Sequence, residues 1–467
     1  MVGRNPAGGN RPAPRERLSM NTHAAQRLWR RFCVFIVRVF YRRFEVHGLE
    51  HLPLQGPVVL CANHASALAD GLVVQAAVAR PVHPIARSGL FRNPLLRPFL
   101  ALVQAVPVER AQDAGSDPSR NLASFDRCFE MLARDAVLLI FPEGQSHGDP
   151  RLRDLKTGAA RIALGARARN ATAPAVVPLG LTFAGLGEFR PTISVELGPP
   201  LVLPAGDERD PQAVHALTDA IAEALAAVTV NAESWEQRDF AARLERFFTR
   251  RAGRYRRAAL ARRYRVQRRL IGALRLLEQR APRRLAQARD ELVRFQQRCA
   301  WLGLNDYQLD LRYDSASVRR FVLHTLFVVL VLVPVAAWGA LNSALPFLLT
   351  RWASRRIARS DDQYDSARIA TGFAAYGAFW GVQTWLVTRG FGAGWGIAYA
   401  ATLLPATIAA AAVVRARRRI VDNVRVFFLF WRQRGLRGAL RRERGAVERQ
   451  IAALARLARR LDRAPGT

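Results

Sequence analysis

The feature that most limits how this chain can fold is a pair of short apolar runs, each ending abruptly in polar residues. Pro57-Val58-Val59-Leu60-Cys61 leads into Asn63-His64, and Leu139-Ile140-Phe141 leads into Pro142-Glu143-Gly144. Such runs, bounded by turn formers, read as buried strands. In α/β folds the chemistry sits where a strand gives way to a turn or helix. His64, with Asp70 shortly after it, is the minimum set for general-base catalysis: the imidazole takes a proton, and the carboxylate fixes its tautomer and stabilises the imidazolium. Further short strands are expected at 44–48, 82–87, 175–183 and 193–198, with helical stretches between them. This alternation predicts an α/β fold: a mixed, mainly parallel sheet flanked by helices, over residues 45–205.

The two polar stretches resemble motifs of the glycerophosphate and lysophospholipid acyltransferase family. In order, that family carries Asn-His with a following Asp, an arginine-bearing second motif, Phe-Pro-Glu-Gly, and Val-Pro. Here these are Asn63-His64 to Asp70, Pro107-Val108-Glu109-Arg110, Phe141-Pro142-Glu143-Gly144 and Val177-Pro178. The common family spacing places four residues between His and Asp; this chain has five. One extra residue on a helix turns a side chain by ~100°, so a local bulge or loop must absorb it. The longer spacing resembles the branch of fungal glycerol-3-phosphate/dihydroxyacetone-phosphate acyltransferases. That branch also resembles the stretches Phe141 to His147, Leu155 to Gly158, Thr229 to Ala232 and Leu302 to Tyr307.

The resemblance implies acyl transfer from acyl-CoA or acyl carrier protein to a hydroxyl of glycerol-3-phosphate, with lysophosphatidate or another lysophospholipid as the alternative acceptor and a non-catalytic lipid-binding protein of the same fold as the alternative to an enzyme. It implies His64 as base and Asp70 as its orienting acid. Arg110, Lys156 and Arg87 are candidates for the acceptor phosphate. Glu143 either holds acceptor hydroxyls or fixes the site, and Gly144 allows close backbone approach. His147 is read as a surface histidine or an extra phosphate contact. The run after Gly89-Leu90-Phe91-Arg92-Asn93-Pro94-Leu95, up to Val106, lines an acyl groove or is plain core helix. The polar loop 111–120 has the composition of a lid. No cofactor or metal is expected.

Charge bears on the partners. The formal charge is +34, and Lys156 is the single lysine. Such an excess calls for a polyanionic neighbour. No nucleic-acid-binding motif accompanies it, and the apolar segments near the C-terminus point to anionic membrane lipids. Cys33, Cys61, Cys128 and Cys299 lack metal or redox spacing and are expected to be buried thiols.

Around the α/β domain, residues 1–26 are expected to be disordered. Residues 27–44 form a two-faced helix, arginines opposite Trp, Phe and Leu, suited either to a membrane headgroup layer or to the domain core. Residues 206–316 form an Arg-rich helical region. Within a membrane region, 317–414, Phe321 to Leu349 is long for one span and short for two. Pro334 and Pro346 favour a re-entrant hairpin there, with one tilted span as the alternative, followed by spans at 369–388 and 395–414. Residues 415–467 read as a basic amphipathic tail on the membrane surface. Arginine-rich flanks place the catalytic domain, the 350–368 loop and this tail on the cytoplasmic side of an inner membrane.

Overall fold

The computed structural model describes residues 14–463 apart from 95, 110–117, 171, 185–189, 251–258, 311–314, 359 and 434. The chain divides into two compact units, residues 1–229 and 230–467.

The first unit holds a seven-stranded sheet: β1 (Arg43–His47), β2 (Val58–Ala62), β3 (Val82–Arg87), β4 (Val106–Val108), β5 (Val137–Ile140), β6 (Ala175–Ala184) and β7 (Thr192–Leu197), in the order β1-β7-β6-β2-β5-β3-β4. Among these described strands, β6 and β7 pair antiparallel and the other neighbours pair parallel. Helices α1 (Pro14–Phe40), α2 (Ala67–Ala77), α3 (Arg97–Leu102), α4 (Pro118–Leu132), α5 (Gly158–Arg169) and α6 (Pro211–Val228) complete the unit. The mainly parallel α/β architecture expected from the apolar runs is the one that forms. Strand β2 is buried along its whole length because both of its faces are covered. Val58, Leu60 and Ala62 join a core with Cys33 and Val37 of α1 and Val73 and Val74 of α2. Val59 and Cys61 join the opposite core with Leu132 of α4, Ile162 of α5 and Leu217 of α6.

Two boundaries move. Helix α1 starts at Pro14, so residues 14–26, expected to be disordered, include its first turns. Its Cys33, Ile36 and Val37 are buried in the domain, while Leu28 and Phe35 stay exposed among arginines. Helix α6 belongs with the sheet rather than with the Arg-rich region, so the unit ends at Thr229 and not at 205. Val214, Leu217, Ile221 and Leu225 keep a helical period that seats α6 on the core. Its last turn lies so close to β6 that a Cβ at Gly180 would sit 2.3 Å from the carbonyl oxygen of Val228; only glycine fits there.

The second unit is helical: α7 (Trp235–Arg250), α8 (Leu260–Arg280), α9 (Pro282–Trp301), α10 (Ser315–Phe327), α11 (Val333–Ile357), α12 (Asp361–Phe391), α13 (Ala393–Arg432) and α14 (Leu436–Arg463). Phe247 of α7, Leu274 of α8 and Phe295 of α9 share one core with Leu440, Val447 and Ile451 of α14. The tail expected on a membrane surface therefore covers its apolar stripe with protein instead. Arg444, 4% exposed, reaches Asp310 Oδ2 at 2.8 Å and Glu448 Oε1 at 3.2 Å. Arg437 and Arg441 both donate to the carbonyl of Leu309. Gln308 donates to Asn423 Oδ1 at 3.0 Å, and Leu304, Leu309, Val426 and Phe430 lie in the same core. The chain thus leaves this bundle after residue 310 and rejoins it by residue 423.

The expected hairpin over 321–349 does not form. Helices α10 and α11 run on through a π-turn, Val328–Leu332, without reversal. Pro334 follows directly on the π-turn, which is where the change of helical hydrogen-bond register accommodates it. Pro346 frees the carbonyl of Asn342, and Gln383 Nε2 meets that carbonyl at 3.4 Å. Among the described residues, two helical stretches are long and apolar enough to cross a membrane, Arg319–Ile357 and Ala393–Arg432. The second contains the expected span 395–414; the expected span 369–388 lies in α12, outside both. Polar pairs tie α11 to α13: Trp338 Nε1 donates to Thr402 Oγ1 at 3.0 Å, and Ser343 and Thr407 share a 2.6 Å hydrogen bond.

Candidate active site

Parallel pairing brings the carboxyl ends of β2, β5 and β3 to one edge of the sheet. His64 follows β2, Glu143 follows β5, and Arg87 ends β3. His64 Nδ1 lies 2.8 Å from Asp70 Oδ2. Asp70 is fully buried and also accepts from the N–H of Ser66 at 2.8 Å. An ionised carboxylate is acceptor-only, so Nδ1 carries the proton and Nε2 keeps its lone pair. Nε2 has no hydrogen-bond partner among the described residues. The other Asp70 oxygen, Oδ1, is buried without a partner there. Asp70 thus orients the imidazole through Oδ2 and fixes the tautomer that leaves the Nε2 lone pair open.

The extra residue between His64 and Asp70 is absorbed at the start of α2. Ala67 takes φ +43°, in the left-handed region that an alanine rarely enters. Ser66 is the N-cap, and Asp70 sits in the first helical turn, where the helix dipole favours its charge. The bulge required by the sequence is this one residue.

The main chain around His64 is held from three directions. Asn63 donates from Nδ2 to the carbonyl of Leu181 and accepts from its N–H, filling a ladder position beside β6. The N–H of His64 donates to Glu143 Oε1 at 2.7 Å. The carbonyl of His64 accepts from the N–H of His147 at 3.1 Å. The imidazole stacks on Phe141, with ring centroids 4.1 Å apart and planes 19° apart. Nothing in the sequence ranked Asn63 or Phe141 as supports, because their roles depend on strands distant in sequence.

Glu143 is buried, and its carboxylate is engaged. Besides His64, it takes the Nε2–H of His147 and the N–H of Arg153, the latter at 3.1 Å. Of the two roles raised for Glu143, this geometry is that of fixing the site. His147 is 9% exposed, so it is not a surface histidine.

Gly144 has φ +76°, and a Cβ there would lie 3.6 Å from Lys156 Cγ. The exposed Lys156 therefore lies across the turn that follows Glu143. Its own N–H donates to Pro142 O at 2.7 Å, and α5 starts two residues later. Arg87 is exposed at the end of β3. Arg110 and the loop 110–117 lie outside the described residues. Val177 and Pro178 are buried in β6 beside Leu60 and Cys61. No group of three or more His, Cys, Asp or Glu among the described residues could hold a metal ion. The four cysteines are free and buried, and burial pushes the thiols of Cys33, Cys61 and Cys128 up to about 12.

Residues 43–182 match the family model described as Acyltransferase. The chloroplastic 1-acyl-sn-glycerol-3-phosphate acyltransferase of Arabidopsis thaliana is 30% identical over 171 residues, 36% of this chain and 43% of that protein. Glycerol-3-phosphate O-acyltransferase 1 of Saccharomyces cerevisiae is 34% identical over 120 residues, 24% of this chain and 16% of that protein. The matched stretches thus span less than half the length of these relatives. The crystal structure of the 1-acyl-sn-glycerophosphate acyltransferase PlsC from Thermotoga maritima is 17% identical, with a TM-score of 0.31, covering 43% of this chain and 76% of that one.

Proposed function

From the premise that this chain belongs to the glycerophosphate and lysophospholipid acyltransferase family, we propose that it transfers a fatty acyl group from an acyl thioester to a hydroxyl of glycerol-3-phosphate. The observation that carries this reading is the His64–Asp70 pair, with Nε2 of His64 unpartnered at the carboxyl edge of the sheet. In the proposed step the acceptor oxygen attacks the thioester carbonyl while Nε2 takes the hydroxyl proton. The tetrahedral intermediate collapses, the C–S bond breaks, and the thiolate leaves with a proton returned by the imidazolium. No acyl-enzyme forms, because base and attacking hydroxyl suffice. Lys156 and the amino end of α5 would take the acceptor phosphate, with Arg110 and Arg87 as further cations.

The yeast relatives and the longer His–Asp spacing favour glycerol-3-phosphate. The plant relatives, named for 1-acylglycerol-3-phosphate, favour lysophosphatidate as the second reading. Purified protein given labelled acyl-CoA or acyl carrier protein and a panel of both acceptors, beside a His64→Ala control, tests this. Product from glycerol-3-phosphate that vanishes in the control is expected. Turnover of lysophosphatidate alone would transfer the assignment to the second reading.

The same proposal places the protein in the inner membrane, in contact with anionic lipids and with its thioester chemistry on the cytoplasmic side. Because residues 303–310 and 423–444 share one bundle, both ends of the intervening segment lie on the same face of any membrane they enter. The segment must then cross an even number of times, and the two long apolar helices supply two crossings. Single cysteines at Ser360, Ala393 and Ala446, in a background freed of native cysteines, test this on intact cells. An impermeant thiol reagent is expected to label the first two and spare the third. Labelling of Ala446→Cys from outside would overturn the even count.

A further inference from the structure

We propose that His147 is a positioning residue for His64, acting through the Glu143 carboxylate; this rests on reading His64 as the base. His147 engages the His64 loop twice. Its N–H donates directly to the His64 carbonyl at 3.1 Å. Its ring holds Glu143, whose other oxygen accepts the His64 N–H at 2.7 Å. Both polar groups of the His64 peptide frame are thus set by the five residues Glu143 to His147.

The ring's protonation follows from its partners. Nδ1 accepts from the N–H of Asp149 at 3.2 Å, so Nδ1 carries no proton. Nε2 therefore carries it and donates to Glu143 Oε2. Both ring nitrogens are engaged, and the ring is buried. No donor is left over for an acceptor phosphate. The other ionisable groups facing the ring are Asp149, whose Oδ2 lies 3.6 Å from Nδ1, and Arg153, which pairs with Asp149 at 2.6 Å. That pair, chiefly through the Arg153 hydrogen bond, holds the Asp149 carboxyl below its ordinary range, and it closes the loop around His147.

Without the His147 ring, Glu143 is left buried with two main-chain donors. The carboxylate then turns, and the His64 main chain loses its fixed reference. A base displaced by about 1 Å loses on the order of 10–100-fold in rate, with substrate binding little changed. The test uses the full-length protein and compares wild type with His64→Ala, His147→Ala, His147→Gln, Glu143→Gln and the double variant His147→Ala/Glu143→Gln. The readouts are kcat, KM for each substrate, and the melting temperature. We expect His147→Ala to lose about 10–100-fold in kcat, with both KM values within about threefold of wild type.

His147→Gln places an amide N–H near the position of Nε2–H and should restore most of the loss. The double variant should be no slower than Glu143→Gln alone, because the two residues act in series. A merely structural role would lower the melting temperature without this rescue or this non-additivity. If His147→Ala does not fold, His147→Gln within about threefold of wild-type kcat, with Glu143→Gln slower, supports the proposal. Wild-type kcat in His147→Ala overturns it, as does a raised KM for the phosphorylated acceptor at unchanged kcat. A glutamine variant as slow as the alanine one also overturns it. Turnover surviving in His64→Ala would sink the base assignment instead, and so separates the two failures.

Discussion

The two units bury polar side chains in opposite ways. In the α/β unit, Asn63, Glu143 and His147 in the loops that leave adjacent strands gather with Asp70 of the first turn of α2, and their partners are largely main-chain groups. All of them bear on one residue, His64. In the helical unit, Gln308, Asn342, Ser343 and Arg444 are spread along helices and tie one helix to the next. The first pattern fixes a point, and the second fixes register between rods. Removing a side chain should therefore change rate in one unit and stability in the other.

The sharpest break of this contrast is His64→Ala. Acyl transfer should fall by ~10²–10⁴-fold, the usual cost of losing a general base. Recovery of the protein in the membrane fraction should not change. Turnover within a few-fold of wild type would leave the α/β unit without its point of convergence.

Arg444→Ala probes the other side. It strands Asp310 and Glu448 beside a buried site and should cost about 3 kcal/mol of helical-unit stability. Denaturant midpoints read by hydrogen exchange over 436–463 and over 137–164 would separate the units. An equal loss in both segments would mean that the units do not unfold independently.

Lys156→Ala refines the contrast within the site. A lost charge-assisted contact to phosphate is worth roughly 1.5–3 kcal/mol, felt in the KM for a phosphorylated acceptor. An effect confined to the acyl donor would reassign the residue.

The smallest effect concerns His83, whose Nδ1 meets the carbonyl of Val103 at 2.8 Å. Burial holds this imidazole below its ordinary value of 6.5. The unfolded chain then takes up the proton first, so folded stability declines as pH falls below about 6.5. His83→Gln should flatten that decline in a urea-midpoint series between pH 7 and pH 5. A slope steeper than wild type would show that the folded state binds the proton more tightly.

Legibility in the sequence followed the same division. Buried strands and the His–Asp pair were readable because short apolar runs have few other uses and the polar residues follow them directly. The roles of Asn63 and His147 were not, since their partners Leu181 and Glu143 meet them only once strands or loops close. The five-residue spacing announced a bulge, but its place at Ala67 depends on where α2 begins. In the helical half, an arginine-flanked apolar stripe such as that of α14 reads alike whether lipid or protein covers it. Pro346 suggested a break in α11, and nothing near it in sequence pointed to Gln383 as the donor that spares the helix.

The clasp between α14 and the α7–α9 bundle has a consequence for biogenesis. Phe247 and Phe295 emerge from the ribosome well before Leu440, Val447 and Ile451, the residues that finish their core. Between them the two long apolar helices must find their place. Closing so long a loop adds little to the equilibrium cost, because that cost grows only with the logarithm of length. It does delay completion, since contacts roughly 200 residues apart form late. The half-built bundle therefore spends a stage of synthesis with its apolar faces uncovered, when a chaperone holdase or the translocation machinery has most to grip. A ribosome stalled before α14 would hold the chain in that state.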